Sequence, residues 1–401
     1  MGFRMWLTLI AALVIATGAG TAGAQQAELI LLDDAGAGSA AAAQDLTPDG
    51  QVVVGTSDGR VFRWTAAGGV EFLSPPDWAY TLKAAVSDDG STIASTLVDT
   101  VNNLVSAARW TQAGGWAFLG CLPGVPPTPD NPPQCSTGYD ISGDGSTVVG
   151  LAWHGDTYRA EAFRWTAAEG MVGLGQPVGA SSRASAISSD GSVIGGFFEH
   201  ETWGMRRPVR WFGGGAPDLF IDPYTMGEVS GISTDGARLA GEALLLDSGG
   251  FPIPPWTVTK AFLWSEGPGF QYVLPIEDFD PSMTEQNAGG NGVSDGGIVV
   301  GWSGSMGPWG VVYPAIYCPG SERMRDLSVV LTEAGVTIPP DVLLLSATAI
   351  TPDGTTVVGQ ALNGTTFNYV PFVARFFAGP CPMFTDGFES GDTAAWSVTV
   401  P

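Results

Sequence analysis

One phrase returns seven times along this chain, and a repeat of that kind leaves few folds open. Each copy has an apolar entry, an Asp-Gly turn and a Val-rich segment ending in Gly. A variable stretch follows, then Arg-Trp-Thr or a variant of it and a Gly-rich turn. The first copy reads AQDLTPDGQVVVGTSDGRVFRWTAAGGVEFL and the third GYDISGDGSTVVGLAWHGDTYRAEAFRWTAAEGMVGLG. The turn glycines that anchor the copies are Gly50, Gly90, Gly145, Gly191, Gly236, Gly296 and Gly354. Six residues past each turn Asp stands Gly55, Gly150, Gly196, Gly241, Gly301 or Gly359, with Ser95 in the second copy. An aromatic column follows: Trp64, Trp110, Trp165, Trp211, Trp264, Tyr317 and Phe376. A position that keeps its aromatic character through seven copies reads as core.

Each unit divides into four short strands. Ala-x-x-Ile-Ser is the first, and the β-branched Val-Val-Gly marks the second. Ala-Phe-Arg-Trp is the third, and Gly-Met-Val-Gly-Leu, where present, the fourth. Thr-Pro-Asp-Gly at Thr47 and Thr351 suits a type I turn with Gly in the left-handed position, which joins adjacent antiparallel strands. Four-stranded units of about fifty residues, without intervening helices, point to an all-β fold: a seven-bladed β-propeller of antiparallel blades. The seventh copy, from Ala347 to about Phe377, lacks a clear fourth strand, and an orphan apolar segment, Glu28 to Leu32, precedes the first. Pairing the two closes the ring and removes two exposed sheet edges. The domain plan is a cleaved leader at 1–24, a single propeller at 25–377 and a tail at 378–401.

The motifs A-x-x-I-S-x-D-G-S-x-V-V-G and A-F-R-W-T resemble those of the HAF-type extracellular repeat proteins of bacteria. The likeness spans roughly residues 28 to 377. It includes MRDLSVVLTEAGV…LLLSATAITPDG from Met324 to Gly354, which matches that family's passage before its last repeat. The resemblance implies an extracellular bacterial protein and assigns it no chemistry. That passage also holds the one expected helix, set between blades 6 and 7. Asp326 caps it, Leu327, Val330, Leu331 and Ala334 share a face, and Gly335 stops it. The tail FTDGFESGDTAAWS, from Phe384 to Ser397, resembles a short C-terminal motif of secreted Gram-negative proteins; a sorting tag and a packed end both fit it.

The first residues agree with export. Arg4 precedes an apolar run from Met5 to Ala16, and Ala22-Gly23-Ala24 has the A-x-A form of a cleavage site. No later segment is long and apolar enough to span a bilayer. The expected address is secreted, or the periplasm or outer surface of a Gram-negative-type bacterium. In that setting Cys121–Cys135 and Cys318–Cys381 are the expected disulfides, because the first pair brackets a short Pro-rich loop and no C-x-x-C spacing occurs. Forty acidic residues against 16 basic ones give a net charge of −24, which argues against nucleic acid and anionic membranes as partners. Only two of the cations are lysines, Lys83 and Lys260. A monomer is expected.

Catalytic chemistry is thinly represented. Gly55-Thr56-Ser57-Asp58-Gly59 fits G-x-S-x-G, but a nucleophile elbow needs a strand-to-helix turn and this one lies inside a hairpin. His154 and His200 are the only histidines; each lies ten residues past its turn Asp, with Asp156, Glu199 and Glu201 alongside. Such a cluster offers metal ligands, yet polar loop residues explain it as well, and no metal or cofactor is assigned. The recurrent Asp-Gly lacks the D-x-D-x-D-G spacing of a calcium loop and is explained by the turn. Glu161 and Glu242 join the carboxylates of the variable segments from which a glycosidase pair would be drawn.

Length varies in the second-to-third loops, such as Asp247 to Lys260, and in the links between blades, such as the Cys121 loop, while the distance from turn Asp to the strand-ending Gly stays at six residues. From the strand-ending Gly (or Ser95) to the aromatic column the count runs from 9 residues, Gly55 to Trp64, to 23, Gly241 to Trp264. In a four-stranded meander these second-to-third loops and the links between blades share one face, which is how a scaffold carries a site. The expected ligand-binding residues there are Trp153, His154, Tyr158, His200, Trp203, Trp256, Trp302 and Trp309. Phe197 and Phe198 lie in the same segments and fit either sugar stacking or blade packing. The reading is a non-catalytic extracellular binding protein whose ligand is a polysaccharide or cell-surface polymer. The alternatives are a carboxylate-based glycoside hydrolase or lyase, and a purely structural surface protein.

Overall fold

A computed structural model describes residues 26–35, 40–80, 83–176, 179–200, 204–220, 225–247, 249–252, 258–277, 286–304 and 312–381. The leader, the tail motif and Trp203, Trp256 and Trp309 lie outside the described residues. The chain is a seven-bladed β-propeller, each blade an antiparallel four-stranded sheet. The innermost strands are Ala41–Leu46, Ala85–Val86, Ser136–Ile141, Ser182–Ile187, Thr225–Ile232, Asn287–Val293 and Val342–Ile350. Successive members of this set touch all the way round, with blade 7 returning to blade 1. The ring is sealed as the orphan segment foretold. Ala27–Leu31 pairs antiparallel with Tyr369–Phe376 as the outer strand of blade 7. Among the described residues no helix is long and apolar enough to cross a membrane.

Apolar burial is divided by the repeat rather than pooled. Among the described residues seven hydrophobic clusters occur, each built from two adjacent blades. Phe62, Phe163, Phe262 and Phe372 are fully buried at equivalent third-strand positions, each paired with the strand-ending Gly. That Gly column has a steric cause. Every innermost strand with a Gly partner is bulged just there, and a Cβ on Gly55, Gly150 or Gly241 would strike the carbonyl of Ala42, Thr137 or Glu228. In blade 2 the Ser95 hydroxyl instead donates to the Lys83 carbonyl at 2.8 Å.

The helix forms at Leu327–Glu333, with Asp326 accepting from the Ser328 amide at 2.7 Å. Leu327, Val330 and Leu331 pack between Val300 and Ile316 of blade 6 and Val342 and Leu344 of blade 7. Both disulfides are present, Cys121–Cys135 and Cys318–Cys381. The second ties the end of the described chain to blade 6.

Two repeat assignments need correction. In blade 6 the left-handed turn residue is Gly297 (φ 87°), not Gly296. Gly297 donates to Ser294, as Gly50 does to Thr47, and the turn is one residue shorter than the others. Asp295 therefore occupies the place of Pro48 rather than of Asp49. In blade 7 the register puts Ala374, not Phe376, where the other blades carry their aromatic. Phe376 lies two residues on, buried against Ala27 of the closing strand. The closing strand supplies the bulk that the column lacks.

Candidate functional site

The described loop-face residues are spread over three blades. Trp153, His154 and Tyr158 belong to blade 3, His200 to the end of a blade 4 strand, and Trp302 to blade 6. Trp153 is half-buried, and its indole N–H has no acceptor among the described residues. The Trp302 ring lies over Gly289, where a Cβ would meet it at 2.5 Å, so it packs within its own blade. His154 Nε2 and Glu161 Oε2 are 3.0 Å apart, and Glu161 also takes the Gly175 amide at 3.1 Å. Glu199 accepts from the Ser181 amide and from Arg159. These carboxylates fasten strands to links. Among the described residues no group of three or more His, Cys, Asp or Glu is placed to hold a metal ion. Tyr158 alone of these described aromatics is well exposed, at 53%.

What the fold gathers instead lies on its axis. A cavity of about 270 Å³ is lined by Gln44, Lys83, Tyr139, Arg183, Ser185, Glu228, Ser230, Asn291 and Thr348, with every blade represented. Six of these are the bulge residues: Gln44, Tyr139, Ser185, Ser230, Asn291 and Thr348 each stand between two register partners of their innermost strand. A bulge leaves one residue unpaired and re-aims its side chain. Here that operation, repeated round the ring, furnishes the axis with amides and hydroxyls.

Some of these groups also bind blade to blade. Gln44 Oε1 accepts the Ala84 amide, Asn291 donates to the Ala347 carbonyl and Thr348 to the Ala43 carbonyl. Arg183 is fixed on Glu228, its Nη2 donating to both carboxylate oxygens (2.6 and 2.7 Å), and lies over the Tyr139 and Phe197 rings. Arg206 adds a second guanidinium to Glu228 at 3.0 Å. Glu242, directly across the ladder from Glu228, has its carboxyl raised, first by burial and then by the Glu228 charge. Two further groups are uncommitted: among the described residues neither the Lys83 ammonium nor the Ser230 hydroxyl has a hydrogen-bond or ion-pair partner.

Further along the axis lie two half-buried carboxylates, Asp45 and Asp140, which line a second, smaller cavity of about 130 Å³. Asp45 accepts the Leu46 and Val86 amides, and Asp140 the Ile141 and Ile187 amides, each bond joining consecutive blades or capping its own strand. Burial, reinforced by the Asp140 charge, pushes Asp45 up to about 7 against the pull of the Val86 amide and the Lys83 charge. Asp140 is raised as well, by burial.

Backbone bonds link the Asp-Gly turns around that second cavity. There Asp88 donates its amide to Gly143, Gly143 to Ser189 and Ser189 to Thr234, at 2.8 to 3.0 Å. Thr234 donates to the Asp295 carboxylate, and Asp295 to the Pro352 carbonyl, both at 2.9 Å. The girdle stops only at Pro352 and Pro48, which have no N–H to give. At Gly143 a Cβ would collide with the Asp88 carboxylate and the Ser189 hydroxyl, which bond to each other across it.

No family model matches this chain, and no curated protein matches it. Solved structures do. It resembles the oligogalacturonate lyase of Vibrio parahaemolyticus, with TM-score 0.54 and 10% identity over 88% of this chain and 94% of that one. The β-propeller domain of the Trilobed protease from Pyrococcus furiosus gives 0.53 and 10% over 86% and 97%. That domain is described as having an open velcro topology, whereas here Ala27–Leu31 closes the ring. An oligogalacturonate lyase in complex with manganese gives 0.52 and 11% over 83% and 88%. At these identities the likeness is one of fold.

Proposed function

We propose that the chain is an exported, non-catalytic binding protein of the HAF-repeat type that takes a saccharide into its axial cavity from the loop face. The observation that carries this reading is the cavity's lining, nine polar side chains drawn from all seven blades. A polyol needs many donors and acceptors at fixed angles and a few flat faces to stack on, and a ring of bulged residues supplies both. The girdle ties the turns together at the other end, where the cavity is the smaller at about 130 Å³, and the approach is taken from the side where the innermost strands begin. Tyr158, Phe251 (70% exposed) and Phe367 (74%) stand at loop tips on that side, suited to a chain that continues out of the cavity. Two disulfides fit an oxidising compartment.

The rival is a glycoside hydrolase or lyase, and one observation favours it: Glu242, raised by burial and by the neighbouring charge, faces a second carboxylate, Glu228, across the ladder. Both Glu228 oxygens are already taken by Arg183 and Arg206, which ill suits a nucleophile or base. The test is a glycan panel read by thermal shift, with reducing ends and unsaturated products assayed in parallel. Binding without product is expected, and Ser230→Phe, which fills the cavity, should abolish it. Product release would establish the enzyme. Binding that survives Ser230→Phe but not Tyr158→Ala with Phe367→Ala would move the site to the rim.

A further inference from the structure

We propose that the axial cavity recognises the carboxylate of an acidic sugar, a uronic acid at a chain end, with Lys83 as its counter-ion. This rests on the saccharide reading above and names the class of saccharide. In a chain of net charge −24, the lining carries two cations, Lys83 and Arg183, against one carboxylate, Glu228. Arg183 is spent on Glu228 and on the faces of Tyr139 and Phe197. Lys83 makes no such contact: among the described residues no carboxylate lies within ion-pair distance of its ammonium, and its charge acts on Asp45 and Asp140 only at longer range. Neutral amides and hydroxyls from the other blades surround it, and the Ser230 hydroxyl is likewise free among the described residues.

The same surroundings limit which anion fits. An ammonium is a compact point charge, satisfied by one oxygen of a monoanion. A dianionic phosphate or a densely sulfated chain would bring surplus negative charge beside Asp45 and Asp140, both of which feel Lys83. A sugar carboxylate brings one charge, and its hydroxyls match the remaining lining. A long polyanion would also meet the acidic surface, so recognition belongs to a terminal residue held inside. At physiological ionic strength that surface repulsion is screened over about 8 Å, whereas the pair at Lys83 is shielded by the cavity walls. Affinity should therefore hold or rise modestly with added salt.

The full exported chain is titrated by calorimetry with trigalacturonate, its methyl ester, a neutral cello-trisaccharide and a sulfated sugar without a carboxylate, galactose 6-sulfate. Trigalacturonate is expected to bind, with Lys83→Met weakening it at least tenfold and Lys83→Arg staying within threefold. The methyl ester should bind wild type no better than trigalacturonate binds Lys83→Met. Matching thermal melts establish that the variants are folded. Equal binding of the neutral and acidic trimers, or indifference to Lys83→Met, overturns the charge recognition and leaves the saccharide reading standing. Tighter binding of the sulfated sugar overturns the choice of carboxylate. Silence with every sugar here and throughout the glycan panel defeats both.

Discussion

Aspartates at the turns and aspartates on the axis sit within a few residues of each other in the repeat and behave in opposite ways. Asp49, Asp144 and Asp190 are held below the usual carboxylate range by the hydroxyls of Thr47, Ser142 and Ser188, then by the following amides. Asp89 and Asp235 are held down first by the amides of Ser91 and Ala237. All five face water. Asp45 and Asp140 also receive two amides each, yet burial overrides those bonds and raises them. At Asp45 and Asp140 two amide bonds each do not offset the cost of desolvation, whereas at these exposed turns bonds of the same kind set the acidity. The turn end is thus built for rigidity and constant charge, and the axis for charge that costs something to hold.

The heaviest blow to the turn end is Gly143→Ala. A Cβ there wedges apart the Asp88–Ser189 bond and strains three linked turns, so a loss of about 2–3 kcal/mol in urea unfolding is expected. A change below about 0.5 kcal/mol would mean that the girdle yields freely.

The next test separates the two sets of aspartates by pH. A carboxyl raised in the folded state contributes stability below its ordinary range and loses it as pH rises through the folded value. Asp45 thus predicts a decline in stability from about pH 4 to beyond 7, and Asp45→Asn should flatten it between pH 5 and 8.5. For Asp49 the sign reverses: its contribution is present above the ordinary carboxylate range and lost as pH falls through its depressed value. Asp49→Asn should cost stability at pH 7 and cost less near pH 3. Parallel pH profiles for the two variants would erase the distinction.

The smallest effect belongs to Arg109. Its Nε donates at 2.9 Å to the Gly145 carbonyl, tying the third strand of blade 2 to the turn of blade 3. Arg109→Ala should cost about 1 kcal/mol and leave any cavity ligand's affinity unchanged.

The same division separates what the sequence made legible from what it did not. Blades, closing strand, helix cap and both disulfides follow from local signals such as turn chemistry, β-branched runs and cysteine spacing, and the structure contains them all. The sixth turn misled because Ser294-Asp295-Gly296-Gly297 offers two glycines, and only backbone hydrogen bonds show that the second one turns. The axial cavity was hidden for a different reason. Its bulge residues are the first x of Ala-x-x-Ile, occupied by Gln44, Tyr139, Ser185, Ser230, Asn291 or Thr348, with Ala84 in blade 2. A position that varies inside the most regular phrase of a repeat looks like noise along the chain. It becomes a ring once the copies are arranged about an axis. The loop aromatics drew notice by type, and nothing in their spacing disclosed that Trp153 and Trp302 would be built into separate blades.

Both lysines turn inward. Lys260 is 6% exposed, with its ammonium on the Gln286 carbonyl, and Lys83 lines the axial cavity. The outer wall of this propeller therefore offers no ε-amine, and its positive charge there is all guanidinium. Reagents that acylate amines have Lys83 as their one open lysine target. Apart from the α-amino group, random biotinylation or amine coupling to a sensor surface would fall on the proposed mouth and blind the protein while leaving its fold intact. A ligand seated there would protect the same nitrogen, so the extent of acylation becomes a measure of occupancy, whatever molecule fills the cavity.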